Sequence, residues 1–297
     1  MEVVASLYRD FAPLSQPVSR LVLGTLLVDP AVLDEWERLG GNIVDTAQAY
    51  GDGESERALG AWLGDRDILV LSKGAHPAGN QRRVTPEDIA ADLTESIARL
   101  GRPIDLYLLH RDDPDVPIGV IVDALNEHIR AGRIRAIGAS NWTCERIDEA
   151  NAYAAANGLE GFCCSSVHLS LATQNEEHWP DTLSATDPAI REWHERTQMP
   201  LFAWSAQARG FFAGHASESV ARVYDNADNR ERRHRARALA AQRGCTANQV
   251  ALAWVLAQSF PVFAVFGART VGQLREAVGA LGVELSAEEA RWLDLRA

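Results

Sequence analysis

An α/β fold, a single closed (β/α)8 TIM barrel with an extra C-terminal helix, is what this sequence predicts, and three observations carry the prediction. Short apolar runs alternate with amphipathic runs from end to end. The apolar runs are near-continuous, as parallel strands buried on both faces are. Eight such strand–helix units fit within 297 residues with no linker or composition break, so residues 1–297 are expected to form one domain. The competing architecture is an open doubly wound sheet. That fold usually carries a glycine fingerprint at its first βα turn, and the turn after Gly24 contains no G-x-G-x-x-G.

Taken in order, residues 21–26 (LVLGTL) read as a strand and 30–39 as a short helix that leaves a thin wall outside it. Residues 42–46 form the second strand and 55–63 its helix; 68–73 (ILVLSK) are the third strand. Thr85 caps the next helix, with Pro86 at its first position and acids in its first turn, and Gly101 follows its end at Leu100. Strand four is 104–110 (IDLYLLH), with a helix over 118–131 ended by Gly132. Strand five is 135–141 (RAIGASN), with a helix over 143–157 closed by Gly158. Strand six, 161–167, leads into an irregular excursion over 171–187 and a helix over 188–197. Strand seven, 201–206 (LFAWSA), precedes a long loop over 207–229 and helices over 230–243 and 247–259. Strand eight, 261–267 (PVFAVFG), is followed by a helix over 270–281 and the extra terminal helix over 286–296.

Composition narrows the function classes. A net charge of −12 argues against nucleic acid or an anionic membrane as partner. The basic run RERRHRAR, 230–237, reads as a solvated helix face. Four cysteines, Cys144, Cys163, Cys164 and Cys245, show no metal-ligand spacing and read as reduced thiols of a cytoplasmic protein. The start of the chain lacks a basic segment followed by an apolar run, so no signal peptide is expected. The most apolar window, 250–267, is interrupted by Gln258, Ser259 and Pro261 and reads as a core helix running into a core strand.

In a barrel the chemistry stands at the C-terminal ends of the strands. Those ends carry Asp45 with Tyr50 in its loop, Ser72 and Lys73, His110 followed by Arg111, Ser140 and Asn141, Ser166 and His168, Trp204 and Ser205, and Gly267 with Arg269. Each has a structural reading: a strand-end Asp caps a turn, a Tyr packs, a Lys reaches solvent, a His is a satisfied core residue. Together they say more. Asp45 and Lys73 end neighbouring strands and can pair. An ammonium beside Tyr50 lowers a phenol pKa that is ordinarily near ~10, which suits proton transfer.

The set Asp45, Tyr50, Lys73 and His110 resembles the catalytic tetrad of the aldo-keto reductases. The strings that carry the resemblance are "GGNIVDTAQAYGDGESERALGAWL", "ILVLSKGAH", "IDLYLLHRDD", "IRAGRIRAIGASNW" and "QLREAVGALGVELSAEE", spread over nearly the whole chain. The resemblance implies an NADPH-preferring reductase of a small-molecule carbonyl that binds its cofactor without a Rossmann domain. Tyr50 is then the general acid, Lys73 lowers its pKa, Asp45 pairs with Lys73, and His110 positions the carbonyl. Ser140 and Asn141 match residues that hold the nicotinamide carboxamide, and Trp204 an aromatic residue that stacks on the ring. Ser205, Gln207 and Arg209 match a loop over the pyrophosphate, and Gly267 and Arg269 a phosphate-binding turn, with Arg269 the candidate for the 2′-phosphate that separates NADPH from NADH. Gln273 and Glu276 match adenosine contacts. Two positions depart from the pattern: Ser166 stands where glutamine is usual, and Ala277 where asparagine is common.

Two rival functions stay open at this stage. A metal-dependent barrel hydrolase would need clustered ligands, and His76, His110, His168 and His194 are scattered. A cofactor-bound sensing or regulatory subunit of the same fold would keep the tetrad but turn over little. Leu26, Trp142 and the excursion with Trp179 are the expected pocket walls, suited to a sugar ring or an aromatic aldehyde. The residues do not specify an oligomeric state.

Overall fold

The computed structural model describes residues 7–26 and 28–296; both ends of the expected 1–297 domain, and Leu27 in the first βα turn, lie outside the described residues. Eight parallel strands close a barrel: β3 (Leu21–Gly24), β4 (Ile43–Asp45), β5 (Leu69–Gly74), β6 (Ile104–Leu109), β7 (Ile134–Ser140), β8 (Ser165–Ser166), β9 (Leu201–Ala203) and β10 (Val262–Phe266), the last pairing back onto β3. Helices connect them on the outside, and Ala287–Leu293 forms the additional C-terminal helix. The eight-stranded parallel barrel is the fold expected.

Strand alternation divides the core into two bodies. Val22, Ile43, Leu69, Leu71, Leu106, Leu108, Ala136, Cys164, Phe202, Phe263 and Val265 point inward and fill the barrel. Their outward neighbours, such as Leu23, Val44, Val70, Tyr107, Ile137, Ala203 and Ala264, pack against the helices in a second, larger cluster. The thin first wall is filled by helix Pro30–Arg38, whose Trp36 is fully buried and donates its indole N–H to the Ile43 carbonyl at 3.0 Å.

One element was not expected from the sequence. Residues Tyr8–Phe11 (β1) and Gln16–Ser19 (β2) form an antiparallel hairpin ahead of the barrel. Its Phe11, Leu14 and Val18 join the inward-facing cluster. Phe11 meets Phe202 and Phe263 edge-on at 5.6 and 5.5 Å, and those two rings stack at 4.7 Å. The hairpin therefore plugs the N-terminal end of the barrel and leaves the opposite end as the mouth.

Other boundaries shift. The ladder of the sixth barrel strand is only Ser165–Ser166, and the expected loop over 207–229 holds a helix, Glu218–Tyr224, capped by Ser217. The next helix begins earlier than expected, at Ala227, with Asn226 as its cap. Within it the basic run is only partly a solvated face: Arg232 is buried on Asp294 at 3.6 Å, while Arg230 and Arg235 pair with Asp225 and Glu231. The helix after β10 is Val271–Val278, tightening into a 3-10 turn over Gly279–Gly282. No described helix is long and apolar enough to cross a membrane.

Candidate active site

The same period of two that fills the barrel also builds its mouth. Continuing each inward-facing series by one step of two residues leads from Ile43 to Asp45, Leu71 to Lys73, Leu108 to His110, Cys164 to Ser166, Phe202 to Trp204 and Val265 to Gly267. The register steps these tips around the mouth: Asp45 pairs with Leu71, two residues short of Lys73, Lys73 pairs with Leu108, two short of His110, and Ser140 pairs with Ser166. A one-residue slip would turn each tip outward, so the apolar plug beneath also sets the polar ring above it.

Lys73 and Asp45 are buried, at 4% and 5% exposure, and their Nζ and Oδ1 atoms lie 2.5 Å apart. Lys73 also donates to the Thr46 carbonyl at 2.9 Å. Burial raises the Asp45 carboxyl against the pull of Lys73, whereas Asp45 and Tyr50 hold Lys73 above the ordinary lysine value despite burial. The pair stays charged because each partner is the other's counter-ion.

Tyr50 hangs over this pair from the turn after β4. Its N–H bonds to Ala47 O at 3.1 Å, its carbonyl receives Gly53 N at 3.2 Å, and Gly51 and Gly53 take left-handed φ of 58° and 85° to turn the chain. The half-buried ring lies 5.1 Å from Lys73 Nζ and 5.9 Å from the His110 ring. Burial raises its phenol above the ordinary value, with Lys73 opposing. The expected depression by the ammonium is thus present but outweighed by burial.

His110 is held neutral: burial first, then the positive charges of Lys73 and Arg111, push it well below the usual imidazole range. Its Nδ1 is buried with no partner among the described residues. His76 packs edge-on against it at 4.9 Å, and Arg111 Nη1 donates to its carbonyl at 2.8 Å. The residue pattern alone assigns no role to His76 or Arg111. Their signal lies in the strings SKGAH and LLHRDD, three and one residues beyond Lys73 and His110.

The strand tips are braced from outside. Ser72 donates to the buried carboxylate of Glu56 at 2.6 Å, and Ala75 N donates to buried Asp92 at 2.8 Å, which Arg83 holds at 2.6 Å. These bonds clamp β5 on both sides of Lys73.

The residues matched to a cofactor divide into two groups. Trp204 stands half-buried at the mouth, its ring 5.2 Å from His168 and 5.7 Å from Trp179, and its indole N–H has no partner among the described residues. Ser205, Ala208 and Arg209 all have left-handed φ, near 50°, a run that turns the loop sharply beside Gln207. Arg209 is exposed, with its guanidinium 5.9 Å over Trp179. Gly267, Arg269 and Thr270 are exposed at the start of helix Val271–Val278, and a Cβ at Gly267 would meet nothing within 4 Å.

Other matched residues are engaged within the protein. Asn141 donates to Ser140 Oγ at 3.0 Å and accepts from Leu183 N at 3.2 Å. Ser166 donates to Phe202 O at 2.9 Å. Gln273 accepts from Arg269 N at 2.8 Å, and Glu276 accepts from Thr246 Oγ1 at 2.7 Å.

Two further expectations meet the structure here. Trp142 is not a pocket wall: it is 1% exposed and packs on Phe162 at 5.2 Å, because the residue after left-handed Asn141 turns back into the core. Leu26 and Trp179, at 52% and 46% exposure, do stand on the surface. His168 is fully buried, bonded to Ser184, Ser170 and Tyr224, and pushed down to about 3 by burial. Among the described residues no group of three or more His, Cys, Asp or Glu is placed to hold a metal ion.

The description "Aldo/keto reductase family" belongs to the family model that matches residues 31–295. Norsolorinic acid reductase stcV of Emericella nidulans is 30% identical over 280 residues, covering 87% of this chain and 69% of that protein. The uncharacterized oxidoreductase YrpG of Bacillus subtilis is 30% identical, covering 93% and 91%. Among solved structures, the thermostable aldo-keto reductase Tm1743, in complex with the inhibitor epalrestat, superposes with a TM-score of 0.77 at 26% identity, covering 97% of this chain and 99% of that one.

Proposed function

The chain belongs to the aldo/keto reductase family, an oxidoreductase family that uses nicotinamide cofactors, and on that premise we propose that it reduces an aldehyde or ketone to an alcohol with NADPH, Tyr50 acting as general acid. The observation that supports this reading best is the buried Asp45–Lys73 pair beneath the Tyr50 ring, with neutral His110 beside it.

The residues suit such a cofactor at two places. Trp204 offers an aromatic face at the mouth, and the open turn at Gly267 and Arg269 precedes a helix N-terminus, where phosphate is favoured. Ser205, Gln207 and Arg209 would flank the pyrophosphate, with Gln273 and Glu276 on the adenosine side. Ser140, Asn141 and Ser166 would face the carboxamide, although their present bonds would have to be shared or exchanged. When bound, the reduced nicotinamide supplies a hydride to the carbonyl carbon.

The protein's own part is proton management. A phenol raised by burial stays protonated at neutral pH, so Tyr50 enters as a donor. As negative charge builds on the carbonyl oxygen, the Tyr50 proton moves to it, and Lys73 stabilises the phenolate left behind. Asp45 keeps that ammonium charged and in place. His110, uncharged, does not compete for the proton and orients the carbonyl through a ring nitrogen.

Tyr50→Phe tests the assignment. NADPH oxidation against a panel of aldehydes, ketones and keto-sugars is expected to fall by about 10²–10⁴-fold, while NADPH binding by fluorescence titration is unchanged. Normal turnover in this variant would sink the role of Tyr50.

A further inference from the structure

Three arginines are buried among the described residues: Arg111, Arg191 and Arg232. Arg191 and Arg232 both reach the carboxylate of Asp294, at 2.8 and 3.6 Å. Arg111 does not resemble them. Its Nη1 donates to His110 O at 2.8 Å, and its Nε and Nη2 both donate to Pro180 O at 3.3 Å. These acceptors are neutral, and no described carboxylate lies within ion-pair distance. The acids whose charge reaches it, Asp181 and Glu177, are exposed on the rim, where water screens them.

A buried cation without a counter-ion is costly unless something supplies one. A guanidinium carries five N–H donors, so the three bonds to carbonyls leave two unused. The side chain lines a cavity of about 260 Å³ with Arg82, Asn141 and Leu183; Asp112, Glu177 and Asp181 line it as well, the last two exposed to water. Arg82 is a second cation there, donating to the Asp112 carbonyl at 2.6 Å and pairing with no described carboxylate. Asp112 is itself taken by Arg146 at 3.3 Å. Arg111 directly follows His110 in the chain and is close enough to Tyr50 for their charges to interact.

We propose that the cavity at Arg111 is a subsite for a carboxylate carried by the substrate, so that the carbonyl presented to Tyr50 belongs to an oxo acid or a formyl acid. The proposal rests on the reductase reading of Tyr50. Arg111 is here a specificity-determining residue: its two free N–H groups take the carboxylate as a fork, and the carboxylate passes through the reaction unchanged.

The test compares two alcohols that differ only in charge, para-(hydroxymethyl)benzoate and para-methylbenzyl alcohol, titrated calorimetrically into the intact chain in excess NADP+. The wild-type protein is expected to bind the carboxylate about tenfold or more tightly, as a charge-assisted pair of bonds implies. Arg111→Gln removes the margin, and Arg111→Lys keeps part of it, since charge survives but the fork does not. Equal affinities in the wild type overturn the proposal without reference to any variant, as does a margin that persists in Arg111→Gln. The cofactor's phosphates are the other source of an anion. If Arg111→Gln weakens NADPH binding as much as it weakens the carboxylate, the anion is the cofactor's and the proposal falls. Turnover of para-formylbenzoate separates the two readings. A margin with no turnover overturns the reductase reading and keeps the anion subsite; turnover with no margin does the reverse.

Discussion

Lys73→Met puts the buried ion pair to a quantitative test. Both partners are at most 5% exposed, and Lys73 is the sole described side-chain or backbone donor to the Asp45 carboxylate. Removing it strands a desolvated anion, a loss of about 3–5 kcal/mol when such a pair is broken from one side. Protonation of Asp45 is the escape route and caps the loss. Relative to an unfolded pKa near ~3.9, keeping the proton costs about 4 kcal/mol at about pH 7 and about 1.5 kcal/mol at about pH 5. Asp45 is already raised in the intact protein, and losing Lys73 raises it further. The folded state then binds the extra proton, so the variant's stability falls as pH rises from about 4 until Asp45 is ionised in the folded state as well. Urea unfolding of wild type and variant at the two pH values measures this. The expected difference is about 3–4 kcal/mol near neutrality and less than half of that at the acid value. Asp45→Asn combined with Lys73→Met removes both charges and is expected to recover more than half of the loss, with little pH dependence. A loss below about 1 kcal/mol, or an equal loss at both pH values, refutes the claim that the pair is buried and mutually dependent.

Three further outcomes are expected. Arg269→Ala weakens NADPH binding on the order of tenfold and leaves NADH nearly unchanged in fluorescence titration; equal losses exclude a 2′-phosphate role. Phe11→Ala, by emptying the plug against the stacked Phe202 and Phe263 rings, lowers unfolding free energy by about 3–5 kcal/mol in urea titration, whereas a loss under about 1 kcal/mol would show that the hairpin is ornamental to the barrel. His168 and His194 are pushed down to about 3 and about 4 by burial, so the unfolded chain binds protons there that the folded chain does not. Stability is therefore complete above the unfolded imidazole value near ~6.5 and declines on acidification, each residue contributing up to about 2 kcal/mol of loss by about pH 5. His168→Gln flattens that decline in pH-dependent unfolding; an unchanged slope rejects the assignment.

The barrel was legible because its strands are short, near-continuous apolar runs that a doubly covered parallel sheet explains, and because several helices carry their own start and stop signals. Thr85, Thr143 and Ser286 cap helices at or next to the places the residues indicate. The hairpin was not legible. YRDF and QPVS are four residues each and half polar, and their apolar members find burial only inside a barrel formed from residues far along the chain. The helix Glu218–Tyr224 escaped notice for a related reason. It is under two turns, shorter than a helix that periodicity can identify, and it is stabilised by burying Val220, Val223 and Tyr224 against the mouth.

The same contrast separates the two halves of the candidate site. Asp45, Lys73 and His110 stand one alternation above residues that fill the barrel, so a register argument from sequence alone can place them. Arg111 stands outside that logic. It follows an inward residue, and alternation alone would send its side chain among the helices with Tyr107 and Leu109. Its guanidinium is instead held at the mouth by the carbonyl of Pro180, in the excursion after β8, 69 residues downstream. That carbonyl's position depends on the Asn141 bond to Leu183 N and on the Ser184–His168 contact, none of which leaves a periodic trace. The tetrad positions are therefore written in strand ends, where local rules hold. The setting of Arg111 is written in a loop held by bonds to residues at the ends of three different strands. An arginine without a described carboxylate partner becomes visible there only after those bonds have placed it next to His110.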